Sequence, residues 1–337
     1  MQYLIESQLI LEYTLHRTCV GGNKGIQKDL DDGIDTIGKK MTVCQLYAKQ
    51  IRHRGNVRYN TKNGRKRLMK LLEEDKLGGC PIDSVKLSDA KEWAIRMKEK
   101  GISYKTISND KRSLKAAFYT AIQDDCIRKN PFDFQLNTVI EDDTEPKVPL
   151  TPAQEESFLS FAQNDKVYQK YYDELIILLG TGLRISELCG LTDTDIDFEN
   201  RIINVDHQLL RSAETGYYIE TPKTKSGIRQ IPMSEKVYEA FNRVLKRRRG
   251  AKAVTIDGYS NFLFLNRDGY PKTATNYDGM FRGLAKKYNK YHEEALPKVM
   301  TPHTLRHTFC TNMANAGMNP KALQYIMGHS NITMTLN

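Results

Sequence analysis

The sequence predicts a mainly α-helical protein in two parts, with a small antiparallel sheet in the second. Three observations predict it. Between residues 42 and 140, apolar side chains recur at helical spacing in four runs punctuated by caps and glycines. Residues 141–150, EDDTEPKVPL, are acidic and carry two prolines, which reads as an extended connection between the parts. Between residues 195 and 232, four short runs of Ile, Val, Tyr and Phe alternate with turn residues, as antiparallel strands do.

The elements follow in order. Residues 1–41 hold turn signals at Gly21-Gly22-Asn23 and Asp31-Asp32-Gly33 but no periodic run, and read as a remnant or linker. Thr42 caps a first helix with Val43, Leu46, Tyr47 and Ile51 on one face. A second helix is expected over Arg58 to Leu77, stopped by Gly78-Gly79. A third is expected from Ser88 to Gly101 around Trp93, and a fourth is capped by Ser103 and carries Ile107, Leu114, Phe118 and Ile122. These four helices make a small bundle over 42–140, ended by Asn130-Pro131.

In the second part, residues 151–337, Thr151-Pro152-Ala153-Gln154 is a capping box with proline at the first helical position. Tyr171 to Leu179 is an apolar helix ended by Gly180. Strands are expected at Asp195 to Phe198, Arg201 to Val205, Tyr217 to Thr221 and Ile228 to Pro232. The last two are joined as a hairpin through Pro222 to Gly227, with His207 to Gly216 lengthening the sheet edge. A helix runs from Ser234 to the basic end Lys246 to Arg249, Asn261 to Leu265 is a short buried strand, and Thr273 to Tyr288 is a helix.

Charge separates the two parts. Lys and Arg outnumber Asp and Glu by 21 to 11 over residues 42–140, against 25 to 24 from residue 141 onward and 5 to 6 before residue 42. The net charge of +10 is therefore confined to the first part, the footprint of a polyanion binder. Arg65, Lys66, Arg67 and Lys70 in the second helix and Lys105, Lys111 and Arg112 in the fourth are the candidate phosphate contacts, with a solubilising face as the competing reading. The six cysteines form no CxxC pair, which argues for reduced thiols in a cytoplasmic protein and against zinc or disulfides. No apolar run reaches membrane-spanning length, and no secretory leader is expected over Met1 to Val20, where Glu6 and Glu12 interrupt the apolar patch.

Chemistry gathers in the last stretch, TPHTLRHTFCTNMANAGMNPKALQYIMGHSNITMTLN. Thr301-Pro302 starts a helix on which His303 and Arg306 share a face, with Leu305, Phe309 and Met313 turned to a core. A second helix, from Pro320 to Met327, ends at Gly328 and delivers His329. HTLRH has zinc-like histidine spacing but lacks the glutamate of HExxH, so no metal is expected. Upstream, TGLRISEL places Arg184 three residues before Glu187. That carboxylate can orient a planar guanidinium toward phosphate oxygens; an internal ion pair is the competing reading. Lys225 sits on the turn PKTKSG, where a lysine is either solvated or mobile enough to donate a proton.

TGLRISEL, the lysine of KSGIRQIP, HTLRH and GHSNITMTLN occur in order with the spacing of one family. The chain resembles the tyrosine recombinases, or phage-type integrases, and looks most like those of conjugative transposons from Gram-positive bacteria. The resemblance spans residues 42–337. It implies a helical core-binding domain over 42–140 and a mixed α+β catalytic domain over 151–337 that close around DNA. It implies that Arg184 and Arg306 hold the scissile phosphate, Lys225 is the general acid, His303 and His329 serve the phosphate, and Glu187 supports them. Double-stranded DNA, a tetramer of the chain on DNA and an accessory excisionase are the implied partners, with no cofactor. The family's nucleophile is a tyrosine nine or ten residues after the histidine of GHS, a spacing that falls just past Asn337, so residues 1–337 are expected to be cleavage-inactive; Tyr325 is a poor substitute. Residues 1–41 are too few for a complete arm-binding domain. A non-catalytic DNA-binding fragment and a type IB topoisomerase are the alternatives.

Overall fold

The computed structural model describes residues 38–336 apart from 56, 147, 223 and 249–253. The expected turns before residue 38, and Arg249 of the basic helix end, lie outside the described residues. The chain divides into two units between Glu145 and Pro146.

Helix α1, Val43–His53, starts where Thr42 accepts from the Gln45 N–H and the Gln45 side chain accepts from the Thr42 N–H. Helix α2, Tyr59–Glu73, ends four residues short of expectation. Asp75, not the glycine pair, stops it. The carboxylate takes the Leu77 N–H at 2.9 Å and both Nε and Nη2 of Arg96, so local side-chain bonding outcompetes another helical turn. Helix α3, Leu87–Glu99, begins one residue before the expected Ser88 cap, because the Asp89 carboxylate accepts the Lys86 N–H. Helix α4, Tyr104–Gln123, is capped by Ser103 as expected. The core of this unit is Leu46, Leu68, Leu72, Trp93, Leu114 and Phe118. It continues past Pro131: Phe132 meets Trp93 edge-on at 5.8 Å and Phe118 at 5.3 Å, and Leu136 and Ile140 are also buried. Each buried aromatic of this kind contributes roughly 1.5–3 kcal/mol. Asp143 bonds Lys98 and the Tyr104 N–H, so the start of the acidic stretch is tied to this unit.

In the second unit, helix α5, Pro152–Asn164, carries the expected capping box. Helix α6, Tyr172–Thr181, runs through Gly180 and stops at Gly182, which takes a left-handed φ of 63°. Gly180 serves packing instead: a Cβ there would lie 2.4 Å from Val237 Cγ2. Helix α7, Ile185–Gly190, follows at once.

The strands pair differently from expectation. β1 (Ile196–Asp197), β2 (Ile202–Val205) and β5 (Arg229–Pro232) form one antiparallel sheet, in which Ile203 faces Ile231. β3 (Gln208–Ser212) and β4 (Gly216–Glu220) form a separate two-stranded sheet with Leu210 facing Tyr218. The predicted hairpin through Pro222 to Gly227 is therefore a crossing between sheets, containing a short 3₁₀ turn, Lys225–Gly227. The insertion His207 to Gly216 supplies the true partner of Tyr217 to Glu220 through a tight turn at Gly216, φ 72°. Residues 261–265 make isolated bridges in place of a strand, with Phe262, Leu263 and Phe264 all buried, a run that one-sided alternation cannot give.

Helices α8 (Glu235–Arg248), α9 (Ala274–Tyr291), α10 (Pro302–Asn315), α11 (Pro320–Met327) and α12 (Thr333–Leu336) complete the unit. Thr301 is the N-cap of α10, and its N–H donates to the Thr304 hydroxyl at 3.1 Å. The core gathers Leu175, Leu178, Phe241, Phe281 and Leu305 around α6. Among the described residues, no helix is long and apolar enough to cross a membrane.

Candidate active site

Two left-handed glycines build the site. Gly182 ends α6 and turns the chain so that Arg184 caps α7; a Cβ at Gly182 would meet Phe309 at 2.5 Å. Gly328, φ 62°, ends α11 and exposes its last carbonyls to neighbouring elements. Those carbonyls are each taken by a different arginine. Arg229 Nε donates to Ile326 O at 2.6 Å, Arg306 Nη2 donates to Met327 O, and Arg184 Nη2 donates to Gly328 O at 2.9 Å. Arg306 also donates to Gly182 O at 2.5 Å, tying the two glycine turns together.

Glu187 lies at the centre of the cluster. Its Oε1 accepts from Arg184 Nη1 at 2.7 Å and Arg229 Nη1 at 3.0 Å; its Oε2 accepts from Arg229 Nη2 and from the Arg184 N–H, both at 2.8 Å. Burial opposes its charge, but the Arg229 hydrogen bonds and the charges of Arg229 and Arg184 hold the carboxyl at about 2. Arg306, buried, is lowered to about 9 by desolvation and by the Arg184 charge, and stays protonated at neutral pH. His329 is lowered to about 4 by burial, then by Arg306, Arg184 and Arg229, and is neutral at pH 7. Its Nδ1 lies 3.0 Å from Thr335 Oγ1, and its N–H donates to Gln324 O.

The structure thus brings Arg184, Glu187, Arg306 and His329 together. Sequence reasoning missed Arg229, whose side chain is fully buried and pairs with both oxygens of Glu187. A signal was present: Arg229 occupies the inward register of β5 with Ile231, where a charge requires a partner. Lys225 is exposed on its 3₁₀ turn, whose Gly227 carbonyl accepts from Arg229 Nη1 at 3.1 Å. His303 is exposed on the first turn of α10, its ring edge-on to His307 at 5.4 Å.

The seven cations proposed in the first unit divide. Arg67 is committed to the fold, bridging α2 to Asp110 of α4 at 2.5 Å. Lys111 donates to Phe134 O at 2.5 Å and lies 4.4 Å from the Phe134 ring centre, with burial pulling its ammonium below the usual range. Lys66, Lys70, Lys105 and Arg112 are exposed, and Arg65 is half-buried.

Among the described residues, Asp195, Asp206 and His207 are close enough to hold a cation. Both ring nitrogens of His207 already face oxygens, Asp206 Oδ1 at 2.6 Å and Gly190 O at 2.8 Å, so the imidazole is built into the turn before β3.

Two arginines and a histidine thus converge beside a helix end within a mixed α+β unit. Residues 149–337 match the phage integrase family, and the chain belongs to that family, the tyrosine recombinases, whose activity class is site-specific DNA recombination. It is 68% identical over 312 residues to the transposase of transposon Tn916 from Enterococcus faecalis, covering 93% of this chain and 77% of that protein, and equally to the transposase of Tn1545 from Streptococcus pneumoniae. It superposes with a TM-score of 0.86 on the Tn1549 transposon integrase in complex with a circular intermediate DNA, at 78% identity, covering 88% of this chain and 94% of that one. A lambda integrase dimer bound to a core site shares the fold, with a TM-score of 0.62 at 15% identity, covering 98% of this chain and 83% of that one.

Proposed function

We propose that the chain serves integration and excision of a mobile element by cutting and rejoining duplex DNA, with the scissile phosphate held at the arginine cluster. Charge is the observation that carries this reading. Arg184 and Arg229 pair with one carboxylate, Glu187, and Arg306 lies within reach of its charge, leaving an excess of two positive charges among largely buried groups. A phosphodiester brings a single negative charge, and its pentacoordinate transition state a second, so the cluster favours the transition state over the ground state.

In this reading Arg184 and Arg306 hold the non-bridging oxygens. A tyrosine phenol attacks phosphorus as His303 takes its proton, the bond to the 5′ oxygen breaks, and Lys225 gives that oxygen its proton. A 5′-hydroxyl then attacks the 3′-phosphotyrosyl bond and releases the tyrosine, so the bond energy is conserved without a nucleotide cofactor. His329, neutral at pH 7, stabilises the phosphate as a hydrogen-bond partner, and His303 exchanges protons at the same oxygens. Exchange between two duplexes cuts four strands, which supports assembly of four protomers on DNA. The exposed cations of the 42–140 segment hold the flanking duplex, in the cytoplasm where the chromosome lies. An excisionase is a further partner in this reading, for the excision direction.

Residues Ser330 to Asn337 contain no tyrosine, and the Tyr325 hydroxyl accepts the Gln230 N–H at 3.1 Å. We therefore propose that Tyr325 is not the nucleophile and that residues 1–337 by themselves bind DNA without forming a covalent adduct. The test uses a suicide substrate nicked beside the scissile bond, given to residues 1–337 and to a chain extended past Asn337 to include a tyrosine. The extended chain should give a shifted band on a denaturing gel and residues 1–337 none. A shifted band from residues 1–337 would implicate Tyr325, and none from the extended chain would sink the reading. Relaxation of supercoils without strand exchange would favour a topoisomerase. In the extended chain, Lys225→Ala should cleave a 5′-thiolate substrate far better than the oxygen one; equal defects on both remove Lys225 from the acid role.

A further inference from the structure

Arg229 is not placed to touch DNA. Its side chain is fully buried, and four of the five N–H donors of a guanidinium are spent on protein oxygens. Those oxygens belong to three separate pieces of the site. Two bonds go to Glu187, which fixes both the backbone N–H and the guanidinium of Arg184. One goes to Gly227 O, the last residue of the Lys225 turn. One goes to Ile326 O, at the end of the helix that delivers His329. The packing around it is close: a Cβ on Gly328 would lie 3.1 Å from Arg229 Nη1 and 3.1 Å from Ser226 O.

We propose that Arg229 is a positioning residue for strand cleavage, which braces Glu187 and fixes the Lys225 turn and the His329 helix end against Arg184. This rests on the reading that Arg184 and Lys225 act on the scissile phosphate. Without Arg229, Glu187 keeps Arg184 alone as a cationic partner in a buried setting, and its proton affinity rises. A protonated Glu187 loses its charge-assisted hold on the Arg184 guanidinium. The Lys225 turn, released from Gly227 O, is free to move away from the cluster. Lysine at position 229 would keep the charge but, having no planar fork, could not bridge both carboxylate oxygens and two carbonyls together.

The test compares Arg229→Met and Arg229→Lys with the unsubstituted chain. In residues 1–337, the Glu187 carboxyl carbon is followed by NMR against pH, its signal assigned by its loss in Glu187→Gln. In the extended chain, single-turnover cleavage is followed against pH, with duplex affinity and thermal unfolding measured alongside. In Arg229→Met, Glu187 should titrate about 1–3 pH units higher. Cleavage should fall about 10–100-fold, the size expected when a group that orients an active-site ligand is lost, while duplex affinity stays within about threefold. The deficit should deepen as pH falls through the new Glu187 titration, a dependence that loss of stability alone does not produce. Arg229→Lys should restore the low titration and the melting temperature but not the cleavage rate. The proposal is overturned if Glu187 titrates unchanged in Arg229→Met, or if Arg229→Lys, once folded, cleaves at the unsubstituted rate. If the unsubstituted extended chain does not cleave, or cleaves undiminished with Arg184→Ala, the phosphate reading fails on its own, and the carboxyl titration still decides whether Arg229 governs Glu187.

Discussion

The two units use positive charge in opposite ways. Within the first, residues 42–140 carry 21 Lys and Arg against 11 Asp and Glu, and α2 and α4 expose Lys62, Lys66, Arg67, Lys70, Lys105 and Arg112. The second, with 25 Lys and Arg against 20 Asp and Glu, gathers three guanidiniums at one site beside Glu187, two of the three almost fully buried. Spread, solvated charge attracts a polymer of phosphates without choosing among them. Concentrated, partly desolvated charge recognises a single phosphate and responds to the charge it gains in reaction. Net charge by segment finds the first kind of region and is blind to the second.

The sharpest way to break the contrast is to remove a guanidinium from the second unit. In a chain extended to include a tyrosine, Arg184→Ala or Arg306→Ala should each lower single-turnover cleavage about 10²–10³-fold. Duplex affinity, measured by gel shift at fixed salt, should change little. A parallel loss of affinity would mean that the cluster holds DNA in general and not the reacting phosphate.

A smaller effect separates the cations of the first unit from one another. Lys66→Ala and Lys70→Ala should weaken DNA binding and reduce the slope of log affinity against log salt by about 0.9 for each phosphate left without its cation. Arg67→Ala should behave differently, because it leaves Asp110 buried without its partner on α4. Urea unfolding should show a loss of about 1–3 kcal/mol for Arg67→Ala and almost none for the other two. Equal salt slopes and equal stabilities for all three would erase the distinction.

The smallest effect is a pH dependence confined to the second unit. His329 titrates at about 4 when folded, against 6.5 for an unperturbed histidine, so the unfolded chain binds its proton first as pH falls. Stability should therefore decline as pH drops from about 6.5 toward 4. Glu187, lowered from 4.5 to about 2, adds a second decline below that window as its carboxylate is protonated. Thermal melting of His329→Gln should lose the upper decline and keep the lower. An unaltered profile would show that His329 is solvated.

Much of this architecture was legible from single residues. The capping boxes at Thr42 and Thr151, and the run from Pro320 to Gly328, announce helix ends through local chemistry that tertiary packing does not override. What was not legible depended on partners distant in sequence. β5 pairs with β2 and not with its neighbour β4, because 208–212 is available to take β4 through the turn at Gly216. Helix α2 ends on a carboxylate shared with Arg96, twenty-one residues later, which no local punctuation reveals. Arg184 and Glu187 stand out because they lie three residues apart; Arg229 completes the same cluster from forty-two residues away and passes for an ordinary strand residue.

The three carbonyls at the end of α11 have a kinetic consequence. Ile326, Met327 and Gly328 each anchor one arginine, and no DNA is needed for any of the three bonds. Immobilising a long cationic side chain costs up to about 2 kcal/mol in lost rotamer freedom. Here that loss is incurred when the chain folds, before substrate arrives. Strand cleavage should then carry little activation entropy from arranging these arginines, and its rate should respond to temperature mainly through the enthalpy of breaking the phosphate bond.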